Sequence, residues 1–203
     1  TDASLISLKQ DGQLGRDADA ATNDNADGTL GLSYTKIDAD GYALPNNATT
    51  WSCVKDNVTG LIWENKTYDK GLHDVNTVYT NLTADYNPAP TYFYNKQVDN
   101  TYFDATWFVK KVNTLSLCGA TDWRLPNTDE LQSLMLIRPA ASPDRNYFYP
   151  NNNDYYWTAE SGWNKDGVTL DNARVVNPYN TINPYYRTSA NVVHSLRSTR
   201  HYI

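Results

Sequence analysis

The stretch DATWFVKKVNTLSLCGATDWRLPNTDELQSLM, residues 104–135, decides the fold class. Asp104 is placed to cap a helix whose apolar residues Ala105, Phe108, Val109, Val112 and Leu115 fall on one face, and Gly119 lies just past its end. A second helix follows at once. Asn127 with Glu130 three residues later makes a capping-box start, Leu131, Leu134 and Met135 form the buried stripe, and Pro139 stops it. Toward the N-terminus, Cys53-Val54 and Leu61-Ile62-Trp63 are two short apolar runs separated by Asp56-Asn57-Val58-Thr59-Gly60, which predicts a hairpin turning near Gly60. Toward the C-terminus, Tyr155 to Thr158, Ala173 to Val176 and Val192 to Thr199 are strand-like. Between them lie turn residues: Gly162, Gly167, Asn177-Pro178 and Asn183-Pro184. Two helices followed by several short strands predict an α+β domain with an antiparallel sheet.

The flanks are less regular. Residues 11–50 are dense in Asp, Asn and Gly and read as turns and an extended N-terminal arm packing on the core, so the chain divides into an arm at 1–50 and a domain at 51–203. Within the arm, Asn23 to Gly28 imitates the first half of a calcium loop, with Asp24 and Asp27 as candidate ligands. The twelfth position is Tyr34 where a bidentate Glu is needed, and turn chemistry is the reading preferred over calcium. Residues 67–103, polar, aromatic and interrupted by Pro88 and Pro90, suggest a long surface excursion.

Composition excludes several function classes. The chain of 203 residues has a net charge of −6, which argues against non-specific nucleic-acid binding, where basic side chains on phosphates supply most of the affinity. Residues 172–203 depart from that balance, with four arginines and no acid. The apolar runs are far below the ~20 residues of a membrane helix, and the segment from Thr1 lacks the basic and apolar regions of a signal peptide. Cys53 and Cys118 are too far apart for a Cys-x-x-Cys redox or zinc motif. In an exported protein a bridge between them would close a loop of about 65 residues, worth on the order of 4 kcal/mol if unstrained. His73, His194 and His201 have no Cys or acidic partner at metal-ligand spacing, and neither a Gly-x-Ser-x-Gly nor a phosphate-cradling loop occurs, so neither enzyme nor cofactor is expected.

Two strings carry a family resemblance. Cys53-Val54-Lys55-Asp56-Asn57-Val58-Thr59-Gly60-Leu61-Ile62-Trp63-Glu64 and Cys118-Gly119-Ala120-Thr121-Asp122-Trp123-Arg124-Leu125-Pro126-Asn127-Thr128-Asp129-Glu130-Leu131 closely resemble the hallmark motifs of the Lcl C-terminal domain family. Tyr156-Trp157-Thr158 is similar to its later Tyr-Trp-Ser/Thr strand, and Leu196-Arg197 with Arg200 to its closing strand. Ser33 to Asp38 resembles a leader found in one branch. The resemblance implies a C-type lectin-like fold, an exported location, and adhesion or ligand binding. It also gives Cys53 and Cys118 structural positions. The chain departs from the family at Thr199, which replaces an apolar residue, and lacks the further cysteine pair expected between the two motifs in some members.

Several motif residues read as structural: Trp63, Trp123, Arg124, Pro126 and Trp157, with Pro126 fixing the entry to the second helix and Arg124 placed to hydrogen-bond loop carbonyls. The tail carries the binding expectation. Trp163, Asn164, Tyr179, Asn180, Asn183, Tyr185, Tyr186, Arg187, Asn191 and His194 combine rigid aromatic contact area with adaptable amide hydrogen bonding, the chemistry of antibody paratopes. Asn and Tyr are also within reach of adenine-directed mutation, so a face diversified by a retroelement is compatible. The expected partner is a protein or a glycan on another cell or surface, with a fibre-tip module that packs against its own copies as the rival; nucleic acid and direct membrane insertion are not expected.

Overall fold

The computed structural model describes residues 33–81, 104–135, 146–148, 155–164, 167–177, 181–186, 191–192 and 196–198. It is an α+β fold of two small, mainly antiparallel sheets and two helices. In chain order the elements are β1 Tyr34–Ile37, β2 Ala43–Leu44, β3 Cys53–Asp56, β4 Leu61–Glu64, β5 Val78–Tyr79, α1 Ala105–Thr114, α2 Thr128–Met135, β6 Tyr156–Asn164, β7 Gly167–Val176, β8 Ile182–Tyr186, β9 Asn191–Val192 and β10 Leu196–Ser198. The first sheet runs β10-β4-β3-β1-β2 and the second β5-β9-β6-β7-β8.

The hairpin expected around Gly60 forms from β3 and β4. Asp56 nucleates its turn by accepting from the N–H groups of Val58 (3.0 Å) and Thr59 (3.3 Å), and Gly60 takes the left-handed φ of 73° that closes it. The stretch read as an arm enters the fold from Ser33 onward: β1 pairs with all four residues of β3, and Tyr34 is buried. Lys36 on β1 is buried with it, its Nζ donating to the carbonyls of Asn46 (2.9 Å) and Ala48 (2.8 Å) over the Trp51 ring. The calcium-loop candidates Asp24 and Asp27 lie outside the described residues, and Tyr34, at the twelfth position, opens β1.

Both helices start where the sequence signals them. The Asp104 carboxylate accepts from Trp107 N at 2.7 Å. Asn127 and Glu130 bond reciprocally, each side chain to the other's backbone N–H at 2.8 Å. Helix α1 buries Ala105, Phe108 and Val112 against Trp157, Ala173 and Val175 of the second sheet. Leu115, expected on that face, is instead the exposed C-cap residue, because the chain leaves the helix there and turns away. Helix α2 buries Leu131 and Leu134 in a separate cluster with Trp63, Tyr156 and Val176; Pro139 falls outside the described residues. The second sheet thus has a core on each side.

Three further expectations are corrected. Residues 67–81 are not a surface excursion: Val75, Tyr79 and Thr80 are buried and β5 joins the second sheet, while 82–103 lie outside the described residues. Gly162 and the Asn183-Pro184 pair, read as turns, lie inside β6 and β8; β8 is an edge strand, where a missing ladder N–H is tolerated. The single strand expected at 192–199 is two strands, β9 and β10, in different sheets.

Candidate functional site

Helix α1 and the first turn of α2 are locked to the second sheet by the motif between them. Trp123 is buried, with its ring N–H on Leu117 O at 2.9 Å and its backbone held by the Asn113 side chain, which accepts from Trp123 N (2.7 Å) and donates to Trp123 O (2.9 Å). Arg124 forks onto both carboxylate oxygens of Glu130 at 2.9 and 2.8 Å and also reaches Leu125 O. Burial pushes the Glu130 carboxyl up, but the Arg124 bonds and the Asn127 N–H outweigh it and hold it below its ordinary value. Pro126 is buried at the mouth of α2, and its carbonyl accepts from Ala159 N of β6 at 2.8 Å. Trp63 and Trp157 are core residues, and Trp157 Nε1 donates to Tyr79 O at 2.7 Å. Cys53 and Cys118 are bridged. All the residues read as structural therefore have structural partners.

The residues read as ligand-binding are distributed over the second sheet. Trp163 lies opposite Val168 and Asn164 opposite Gly167, at the tip of the β6–β7 hairpin. Asn183 lies opposite Val175, Tyr185 opposite Ala173, Tyr186 opposite Asn172, and Asn191 opposite Tyr79. Tyr179, Asn180, Arg187 and His194 lie outside the described residues. Tyr185 packs on the α1-side core, and strand alternation puts Asn183, two residues before it, on that same side.

On the α1 side a small surface group is built. Tyr185, half-buried, stands 4.7 Å centroid to centroid from Tyr155, which precedes β6, with the rings tilted by 41°. The hydrogen bond to Tyr155, with burial, raises the Tyr185 phenol above its ordinary value. Asn183, two residues along the edge strand, is half-buried and donates to Thr181 Oγ1 at 3.1 Å. Two register shifts interrupt the β6–β7 ladder between Trp157 and Gly162, so the hairpin's outer end is set off from the covered inner end. Glu160 braces this kink: it accepts from Thr128 N of α2 (2.8 Å), is in close contact with Thr128 Oγ1, and meets Arg174 at 3.3 Å. Sequence reasoning missed Glu160, which no motif or compositional signal marks; Tyr155 belongs to the Asn/Tyr-rich run Asn151 to Tyr156, and Arg174 to the arginine-bearing tail.

A second polar group is internal. The Glu64 carboxylate, buried at the end of β4, takes Lys66 Nζ at 2.8 Å and His73 Nδ1 at 2.7 Å, and Lys66 Nζ sits 4.7 Å from the Phe108 ring centre. Burial pulls the Lys66 ammonium below its ordinary value against the pull of Glu64 and Asp74. The cluster joins β4, the 66–76 turn and α1, and its carboxylate is spent on internal partners. Among the described residues no three His, Cys, Asp or Glu side chains gather as a metal site.

Residues 52–197 match the family model of the Lcl C-terminal domain. No curated protein and no solved structure matches the chain.

Proposed function

The chain belongs to the Lcl C-terminal domain family, and on that premise we propose that it is a non-catalytic, extracellular ligand-binding domain of the adhesin type, with a C-type lectin-like fold. The observation that carries the reading is the Tyr155–Tyr185 ring pair with Asn183 beside it on the edge strand of the second sheet. Tyrosine rings held by a packed sheet offer contact area with little side-chain entropy left to lose, and a neighbouring amide supplies adaptable hydrogen bonds. The Cys53–Cys118 bridge is consistent with export, since such bonds persist in oxidising compartments. The ligand is a protein or a glycan. Both can stack on tyrosine and bond to an amide.

The test is direct binding of the labelled chain to two arrays, one of glycans and one of cell-surface proteins. Saturable binding is expected on one of them, weakened about tenfold or more by Tyr155→Ser with Asn183→Ala when measured well below the variant's own thermal midpoint. No saturable binding on either array, or binding indifferent to these substitutions, would overturn the reading.

A further inference from the structure

Three of the four residues from Ser116 to Gly119 are left-handed: Ser116 (φ 52°), Cys118 (φ 50°) and Gly119 (φ 70°). Two of them carry a Cβ, which makes this backbone unfavourable, so it persists only because its surroundings impose it. Two restraints stand out. One is the bond from Cys118 to Cys53, the first residue of β3, which pairs with Ile37 of β1. The other is the turn between β1 and β2, tied by the Asp38 carboxylate to Asp40 N (3.0 Å) and Tyr42 N (2.8 Å). That turn presses its glycine against the cysteine loop, and the contact is mutual. A Cβ on Gly41 would lie 2.7 Å from Cys118 O, and one on Gly119 would lie 2.6 Å from Asp40 O.

We propose that the Cys53–Cys118 disulfide and the β1–β2 hairpin form a thiol-sensitive latch, in which each holds the other closed over the edge of β3. Both cysteines are buried, at 0% and 3% exposure, and the hairpin packs on the loop that shields Cys118, so a thiol gains access when the hairpin lifts. A dithiol then delivers two electrons and two protons: the S–S bond breaks, Cys53 and Cys118 become thiols, and the reductant closes to its own disulfide. Freed of the bridge, Cys118 relaxes from its left-handed conformation and Cys118 O moves off Gly41. The hairpin loses its seat, and the β3 edge that it covers, from Cys53 to Asp56, is left unpaired. Coupling of this kind is reciprocal by thermodynamic necessity: if the bridge favours the docked hairpin, the docked hairpin disfavours reduction by the same factor.

Native-state hydrogen exchange of the full chain, oxidised and after dithiothreitol reduction with alkylation, reads one direction. Reduction is expected to speed exchange at residues 34–37 and 53–56 about tenfold more than at 105–112 and 173–176, which report the global loss of the bridge. The reverse direction is read as the rate of disulfide reduction under native conditions. Gly41→Ala is expected to raise it about tenfold, while Gly60→Ala, at a left-handed glycine in another turn, leaves it unchanged. Uniform acceleration across the chain, exchange unaltered by reduction, or equal reduction rates in the two glycine variants would overturn the latch.

Discussion

Lys66 shows how far single residues were legible. Trp63, Trp123 and Trp157 announce themselves as core by size and motif, and each is buried. Arg124 pairs with the carboxylate of Glu130, which lies six residues on and is shared with the helix cap. The Glu64–Lys66–His73 cluster was not legible, because His73 reaches Glu64 across a turn whose path depends on tertiary packing. Breaking it has a predictable cost. Lys66→Ala, which leaves Glu64 buried without its ammonium, is expected to lower stability by about 3 kcal/mol in urea unfolding, whereas Glu64→Gln with Lys66→Met costs clearly less. Asp74 sets a pH dependence beside it. The N–H groups of Lys70 and Asn76 hold its carboxyl below the ordinary value of 3.8. A depressed folded-state value gives stability that is fully present above the unfolded value and lost as pH falls through the folded one. Asp74→Asn should therefore be less stable than the parent at pH 6, with the difference shrinking in urea titrations carried below about pH 4.

At the scale of elements, the helices were legible because their signals are local. A cap, a stripe at 3.6-residue spacing and a stop lie within one stretch, and the capping box at Asn127 and Glu130 formed as read. Asp104→Ala should cost about 1 kcal/mol of thermal stability. Phe108→Ala, at the buried centre of α1, should cost about 3–5 kcal/mol. Leu115→Ser, one residue past the helix, should stay within about 0.5 kcal/mol, since that side chain is exposed. The second sheet was less legible. Its β9 has two residues, its β6–β7 ladder shifts register twice, and Pro184 punctuates an edge strand that continues through it. Pairing of that kind is set by what packs on either face, and local sequence does not carry it.

At the scale of the molecule, the folded unit reaches beyond the family match. That match begins at residue 52, yet β1 pairs along the whole of β3, Tyr34 packs on Tyr147 and Phe148, and Gly41 seats on the cysteine loop. A chain beginning at residue 52 should lose the cooperative unfolding transition that the full chain shows in circular dichroism. The candidate binding group was only partly legible for a related reason. Composition gathers Tyr and Asn in the tail, but Tyr185 finds its ring partner in Tyr155, thirty residues earlier and just before β6. The central claim is that this α1-side edge of the second sheet meets the ligand. The most direct measurement is the hydrogen-exchange footprint of the full chain saturated with the ligand selected on the arrays. Slowed exchange in 155–164 and 182–186 is the result expected; protection confined to 34–64, on the first sheet, would contradict it.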